Sequence, residues 1–186
     1  MLADISDYNN MSDVLPLLFG IIAADVTTIF GVRYLPSLFS KELNQWYDKF
    51  ELTAVMADVL IILLGFFLAR YIYTTWIKPI YGWHPFYFLG LLVLLQVVHD
   101  ILFYLAIILP IPIGHNAIID LFKQYSLRDG PKIIGGDSIL MILSALIAMY
   151  YKTLQLPTLV TYGTIGIYSL TYILYTKSPF NTKEKE

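Results

Sequence analysis

The chain has 186 residues, of which 58% are hydrophobic and only 14% are charged. Soluble domains carry roughly 25% charged residues, so the composition is that of a membrane protein. A net charge of −2 supplies no basic field for nucleic acid, and the absence of cysteine excludes disulfides, thiolate catalysis and cysteine-ligated metals.

In chain order, the first stretch, "MLADISDYNNMSD", has three aspartates and no Lys or Arg, so it lacks the positive n-region of a cleavable signal peptide. Five apolar segments follow, at about 16–35, 52–76, 85–109, 138–154 and 158–176. Each suits a bilayer core of roughly 30 Å, which takes about 20 helical residues. The first carries Asp25, Thr27 and Thr28 in its middle. The loop after it, "PSLFSKELNQWYDKFEL", offers Trp46, Tyr47 and Phe50 as headgroup anchors. The second segment contains Asp58. The third, "LLVLLQVVHDILFYLAIIL", contains Gln96, His99 and Asp100 on one helical face.

Beyond it, "PIPIGHNAIIDLFKQYSLRDGPKIIGGD" predicts a short amphipathic interfacial helix over 116–125, then a turn at "RDGP". Asp137 is expected to open the fourth segment as an N-cap, with Met141, Ser144 and Ala148 on its face. The fifth segment aligns Thr161, Thr164, Tyr168, Tyr172 and Tyr175, a stripe expected to meet its neighbours in a bundle. Residues 178–186 read as a disordered tail. The expected fold is therefore all-α: one membrane domain, 1–186, made of five transmembrane helices with amphipathic interfacial helices in the inner loops.

Loop charges give an orientation. With the N-terminus outside and the C-terminus inside, nine of the twelve basic residues fall inside and Arg70, Lys78 and Lys152 fall outside. The N-terminal aspartates are then expected to have no basic neighbours.

An ionised carboxylate in hydrocarbon costs a few kcal/mol even on lenient insertion scales. The intramembrane polar residues therefore define a candidate polar or proton cluster: Asp25, Asp58, His99, Asp100 and Asp137, with Arg33 as the expected partner of Asp58 or Asp100. Such groups serve either as interhelical hydrogen-bonding partners or as a proton or cation site. Neither a zinc HExxH motif nor a GxSxG elbow is present, and no cofactor is expected.

The stretch "LNQWYDKFELTAVMADVLIILLGFFLARYIY" (Leu43–Tyr73), with "HDILFY" (His99–Tyr104) and "GDSILM" (Gly136–Met141), resembles a multi-pass membrane protein family of large DNA viruses that infect algae and protists. The resemblance covers about a third of the chain. It implies a viral context and a host or virion membrane, and carries over no catalytic residue. The leading expectation is a membrane or virion organiser acting through contacts with other membrane or capsid proteins, or with copies of itself. The alternatives are a proton- or cation-conducting or transporting protein, and a lipid-acting enzyme.

Overall fold

The computed structural model describes residues 2–176, and the expected tail lies outside them. Among the described residues there are helices and no strands. The chain forms α1 (Val14–Tyr34), α2 (Lys41–Phe50), α3 (Leu52–Ile72), α4 (Lys78–Tyr81), α5 (Pro85–Phe103), α6 (Ala117–Tyr151) and α7 (Leu156–Tyr175). Five-residue π-helical turns, Tyr73–Ile77 and Tyr104–Ile108, join α3 to α4 and extend α5.

Four helical stretches are long and apolar enough to cross a membrane: Met11–Tyr34, Leu52–Tyr81, Pro85–Ile108 and Lys132–Tyr151. This is compatible with a multi-pass integral membrane protein. So is the outward display of Leu60, Leu64, Leu68, Leu94 and Leu105, since apolar patches of that extent seldom face water. The expectation of five such helices is corrected: four reach that length and hydropathy, and the fifth segment does not. The fifth segment does form a 20-residue helix, α7, but its tyrosines, threonines and glycines dilute its hydropathy.

A second correction concerns 116–154. The interfacial helix, the "RDGP" turn and the fourth segment are one 35-residue helix. Asn116 caps it, its side chain accepting from the Ile118 and Ile119 amides at 2.8 and 3.3 Å. Glycine and proline weaken a helix, but tertiary contacts hold the first half of α6 in line. Lys123 donates to the carbonyls of Leu109 and Ile111, Phe122 packs on Trp46 with ring centroids 5.0 Å apart, and Arg128 pairs with Glu42 at 2.6 Å. Asp137 is consequently an exposed residue inside a helix, not an N-cap.

α1 is the central helix. It packs most extensively on α6, then on α7 and α3, while α5 flanks α3 and α6. The α1–α6 approach is close at Gly20, where an added Cβ would lie 2.8 Å from the Ala148 backbone nitrogen. Leu17, Ile21, Ala24, Ala145 and Met149 fill that seam. α7 runs alongside α1 in the same direction: Gly163 sits under the Phe19 ring, and the Leu174 carbonyl accepts from Arg33 at 3.1 Å. The face it buries is thus Leu159, Gly163 and Leu174. The Tyr168–Tyr172 stripe, expected to face inward, is exposed.

The two ends of the bundle differ. At the N-terminal end, the segment before α1 is strapped down. Lys78 pairs with Asp4 at 2.8 Å, Asp13 pairs with Arg70 at 3.4 Å and with Lys152 at 2.7 Å, and Trp83 Nε1 donates to the Leu2 carbonyl at 3.2 Å. Two of the three N-terminal aspartates, Asp4 and Asp13, therefore do have basic partners, because α4 and the α6–α7 junction bring lysines to them. At the other end α2 lies across the bundle. Ser40 caps it, accepting from the Leu43 amide at 3.1 Å. It buries Glu42, Trp46 and Tyr47 and turns Lys41, Gln45, Asp48 and Lys49 outward. This is the cap end of the bundle.

Candidate functional site

Asp25 lies in the middle of α1 and is fully buried. Asp58 lies in the second turn of α3 and is half-buried. The side chain that joins them comes from neither helix. The Tyr47 hydroxyl, from α2, lies 3.2 Å from Asp25 Oδ1 and 3.2 Å from Asp58 Oδ2. Trp46 Nε1, also from α2, donates to Asp58 Oδ2 at 3.1 Å. Sequence reasoning assigned Trp46 and Tyr47 to the headgroup layer. Their N–H and O–H are handles that a buried aromatic needs to place, and two carboxylates nearby are the acceptors.

Burial first, and then the Asp58 and Asp25 carboxyls, push the Tyr47 phenol well above its ordinary range, so it stays an O–H. A phenol has one proton to give. Both 3.2 Å contacts are hydrogen bonds only when one of the two carboxyls carries a proton and donates it to the tyrosine oxygen. Asp25 Oδ2 is buried with no hydrogen-bond partner among the described residues, and the same holds for Ser144 Oγ. Since Gly20 meets Ala148, one turn further along each helix puts Ala24, beside Asp25, at the level of Ser144. The two threonines that follow Asp25 are satisfied locally: Thr27 and Thr28 donate to the Ala23 and Ala24 carbonyls at 2.8 and 3.0 Å.

Arg33 is not the partner of Asp58 or Asp100. It is buried at the cap end, donates to Asn44 Oδ1 at 2.7 Å and forms an ion pair with Asp48 of α2. His99 and Asp100 form a separate, lateral group. His99 Nδ1 lies 3.2 Å from Asp100 Oδ1, the ring stacks on Phe103, and Gln96 donates to Asp100. Ser138 Oγ lies 2.7 Å from Gln96 Oε1, linking α5 to α6. Asp137 is within electrostatic range of both Asp100 and Asp58, but among the described residues no hydrogen bond joins the lateral group to the Asp25–Tyr47–Asp58 group. Of the six candidate residues, the structure thus links Asp25 with Asp58 and His99 with Asp100, and ties Arg33 to α2.

Among the described residues, no three His, Asp or Glu side chains converge as a metal-ligand set. The chemistry the central group can perform is proton exchange: two carboxyls, one fully buried and one half-buried, one bridging hydroxyl and one indole donor. No family model, curated protein or solved structure matches the chain, so this geometry is read from its own residues.

Proposed function

We propose that the chain is a five-crossing membrane protein, N-terminus outside and C-terminus inside, that takes up a proton from the inner side at Asp25–Tyr47–Asp58 and couples it to transport or conduction. The observation that carries this reading is the tyrosine hydroxyl shared by two carboxyls. Asp58 Oδ2 already accepts from an indole that can only donate. It therefore takes the Tyr47 proton as well, and Asp25 is the carboxyl that carries the proton. Protonation of Asp25 also removes a charge whose burial in hydrocarbon would be costly.

Topology supports uptake from inside. α7 has 20 residues, about 30 Å of helix, and runs the length of α1, which suits a fifth crossing. The cap end carries Arg33, Lys41, Lys49, Lys123, Arg128 and Lys132. The basic side chains at the other end are matched by Asp4 and Asp13. The positive-inside bias then assigns the cap end to the interior. Asp58, in the second turn of α3, lies near the cap end, while the Asp13–Arg70–Lys152 network closes the other.

Reconstitution in liposomes tests the reading. An imposed pH gradient should drive proton uptake by the wild-type protein and none by Asp25→Asn, which keeps a donor toward Tyr47 but cannot exchange a proton. Equal uptake by both, or none by either, removes the proposal.

A second reading, membrane or virion organisation, is favoured by residues 117–131. They extend α6 beyond its apolar span of Lys132–Tyr151. With α2 they form a platform holding a polar cavity of about 270 Å³, lined by Gln45, Asp48, Lys49, Asp120, Leu121 and Gln124. Thiol cross-linking through Gln124→Cys in native membranes distinguishes it: a defined protein adduct supports an organising contact, and a clean monomer opposes it.

A further inference from the structure

We infer that α2 is a hinged lid over the Asp25–Asp58 pair, with two resting places for its aromatic face: the end of the bundle and the headgroup layer of the inner leaflet. The inference rests on the proton-site reading for its purpose, and on separate observations for its mechanics.

The lid is the cover. Trp46 and Tyr47, both buried, donate to Asp58 from their side chains, and the Tyr47 hydroxyl also meets Asp25 Oδ1. Lifting α2 removes them together and exposes both carboxyls at the cap end. The helix is also the most sharply two-faced element of the chain, with Trp46 and Tyr47 inward and Lys41, Gln45 and Lys49 outward. A helix with that division lies equally well in the interface plane, aromatics down and lysines in water. That second position is the one its sequence favours when read without the bundle.

The hinge is Glu51. It joins α2 directly to α3 with φ 47° and ψ −123°. This is the conformation of the first central residue of a type II′ turn, a glycine position. A glutamate holds it only while its surroundings impose it. On the other side, the short turn Pro36–Leu38 and the extended Phe39 and Ser40 connect α2 to α1.

Among the described residues, two ionic latches hold the lid down. Arg33 binds Asp48 and Asn44, and Arg128 of α6 binds Glu42 at 2.6 Å. Asp48 is 39% and Arg128 64% exposed, so each latch has one member in water, where ion pairs are weak and screened by salt. Strained hinge, exposed latches and a two-faced helix describe an element with two accessible positions rather than a fixed cap.

The cysteine-free chain allows a direct test. Gln45 of α2 and Gln124 of α6 are exposed and line the same cavity. In the Gln45→Cys/Gln124→Cys protein, a short thiol-cleavable bismaleimide should pin α2 to α6. The readout is labelling of the fully buried Asp25 carboxyl in liposomes by a water-soluble carbodiimide with glycine ethyl ester, quantified by mass spectrometry. The lid predicts labelling slowed by about tenfold or more when pinned, as for any group reached only through local opening, and restored when the linker is cleaved. Arg128→Gln, which removes one exposed ion pair, should speed labelling by about twofold to fivefold. Glu51→Gly, which relieves the closed-state hinge, should slow it. Identical rates in the pinned, cleaved and Arg128→Gln proteins overturn the lid. Proton uptake is measured in parallel on the same vesicles. Labelling that follows the pin without any uptake upholds the lid and refutes the proton reading. Uptake that proceeds unchanged in the pinned protein, with unchanged labelling, does the reverse.

Discussion

Among single residues, one hydroxyl joins the two carboxyls. Tyr47→Phe keeps the ring in place but removes the group between Asp25 Oδ1 and Asp58 Oδ2. Loss of a buried hydrogen-bonding partner costs about 1–3 kcal/mol, so thermal unfolding in detergent should fall accordingly, whereas Tyr34→Phe, on the exposed end of α1, should leave it unchanged. The aspartates were legible in the sequence, because a carboxylate within an apolar run must be explained. Tyr47 was not, because tyrosine beside tryptophan next to a membrane segment is also what an interfacial anchor looks like. Arg33 shows the same limit. Its depth was readable, but Asp48 competed for it with a shorter reach than Asp58 or Asp100.

At the scale of elements, the N-terminal strap gives a pH-dependent prediction. Burial raises the Asp4 carboxyl, but the Lys78 ammonium and the Ser6 hydroxyl and amide outweigh it and hold Asp4 below the ordinary carboxylate range. A carboxyl depressed in the folded state stabilises it fully above the unfolded value, and that contribution is lost as pH falls through the folded value. Amide exchange over Leu2–Ser6 should therefore accelerate below about pH 4, and Lys78→Ala should move the onset to higher pH. A strap that exchanges at the same relative rate throughout would show that the Asp4–Lys78 pair does not hold it. Helix existence was largely readable from the apolar segments, whereas α6 was divided in error. Gly130, Pro131, Gly135 and Gly136 are local breaking signals. What overrides them is the tether from Lys123 to the Leu109 and Ile111 carbonyls and from Arg128 to α2.

At the scale of the whole molecule, an all-helical bundle with apolar outward faces was legible because composition alone requires it. Which faces meet was not. The glycines of α7, rather than its tyrosine stripe, turned out to match α1, because only a residue without Cβ fits beneath the Phe19 ring. Five crossings with N-out, C-in orientation predict that a tag before Leu2 is reached only from outside and one after Glu186 only from inside, while tags on one common side would require four crossings. A proton held on Asp25 within the bundle is detectable by infrared difference spectroscopy of the protein in lipid at neutral pH. A protonated-carboxyl C=O band should be present in the wild type, shift in Tyr47→Phe, and disappear in Asp25→Asn while surviving in Asp100→Asn. A band unchanged by Asp25→Asn, or no such band in the wild type, would contradict it.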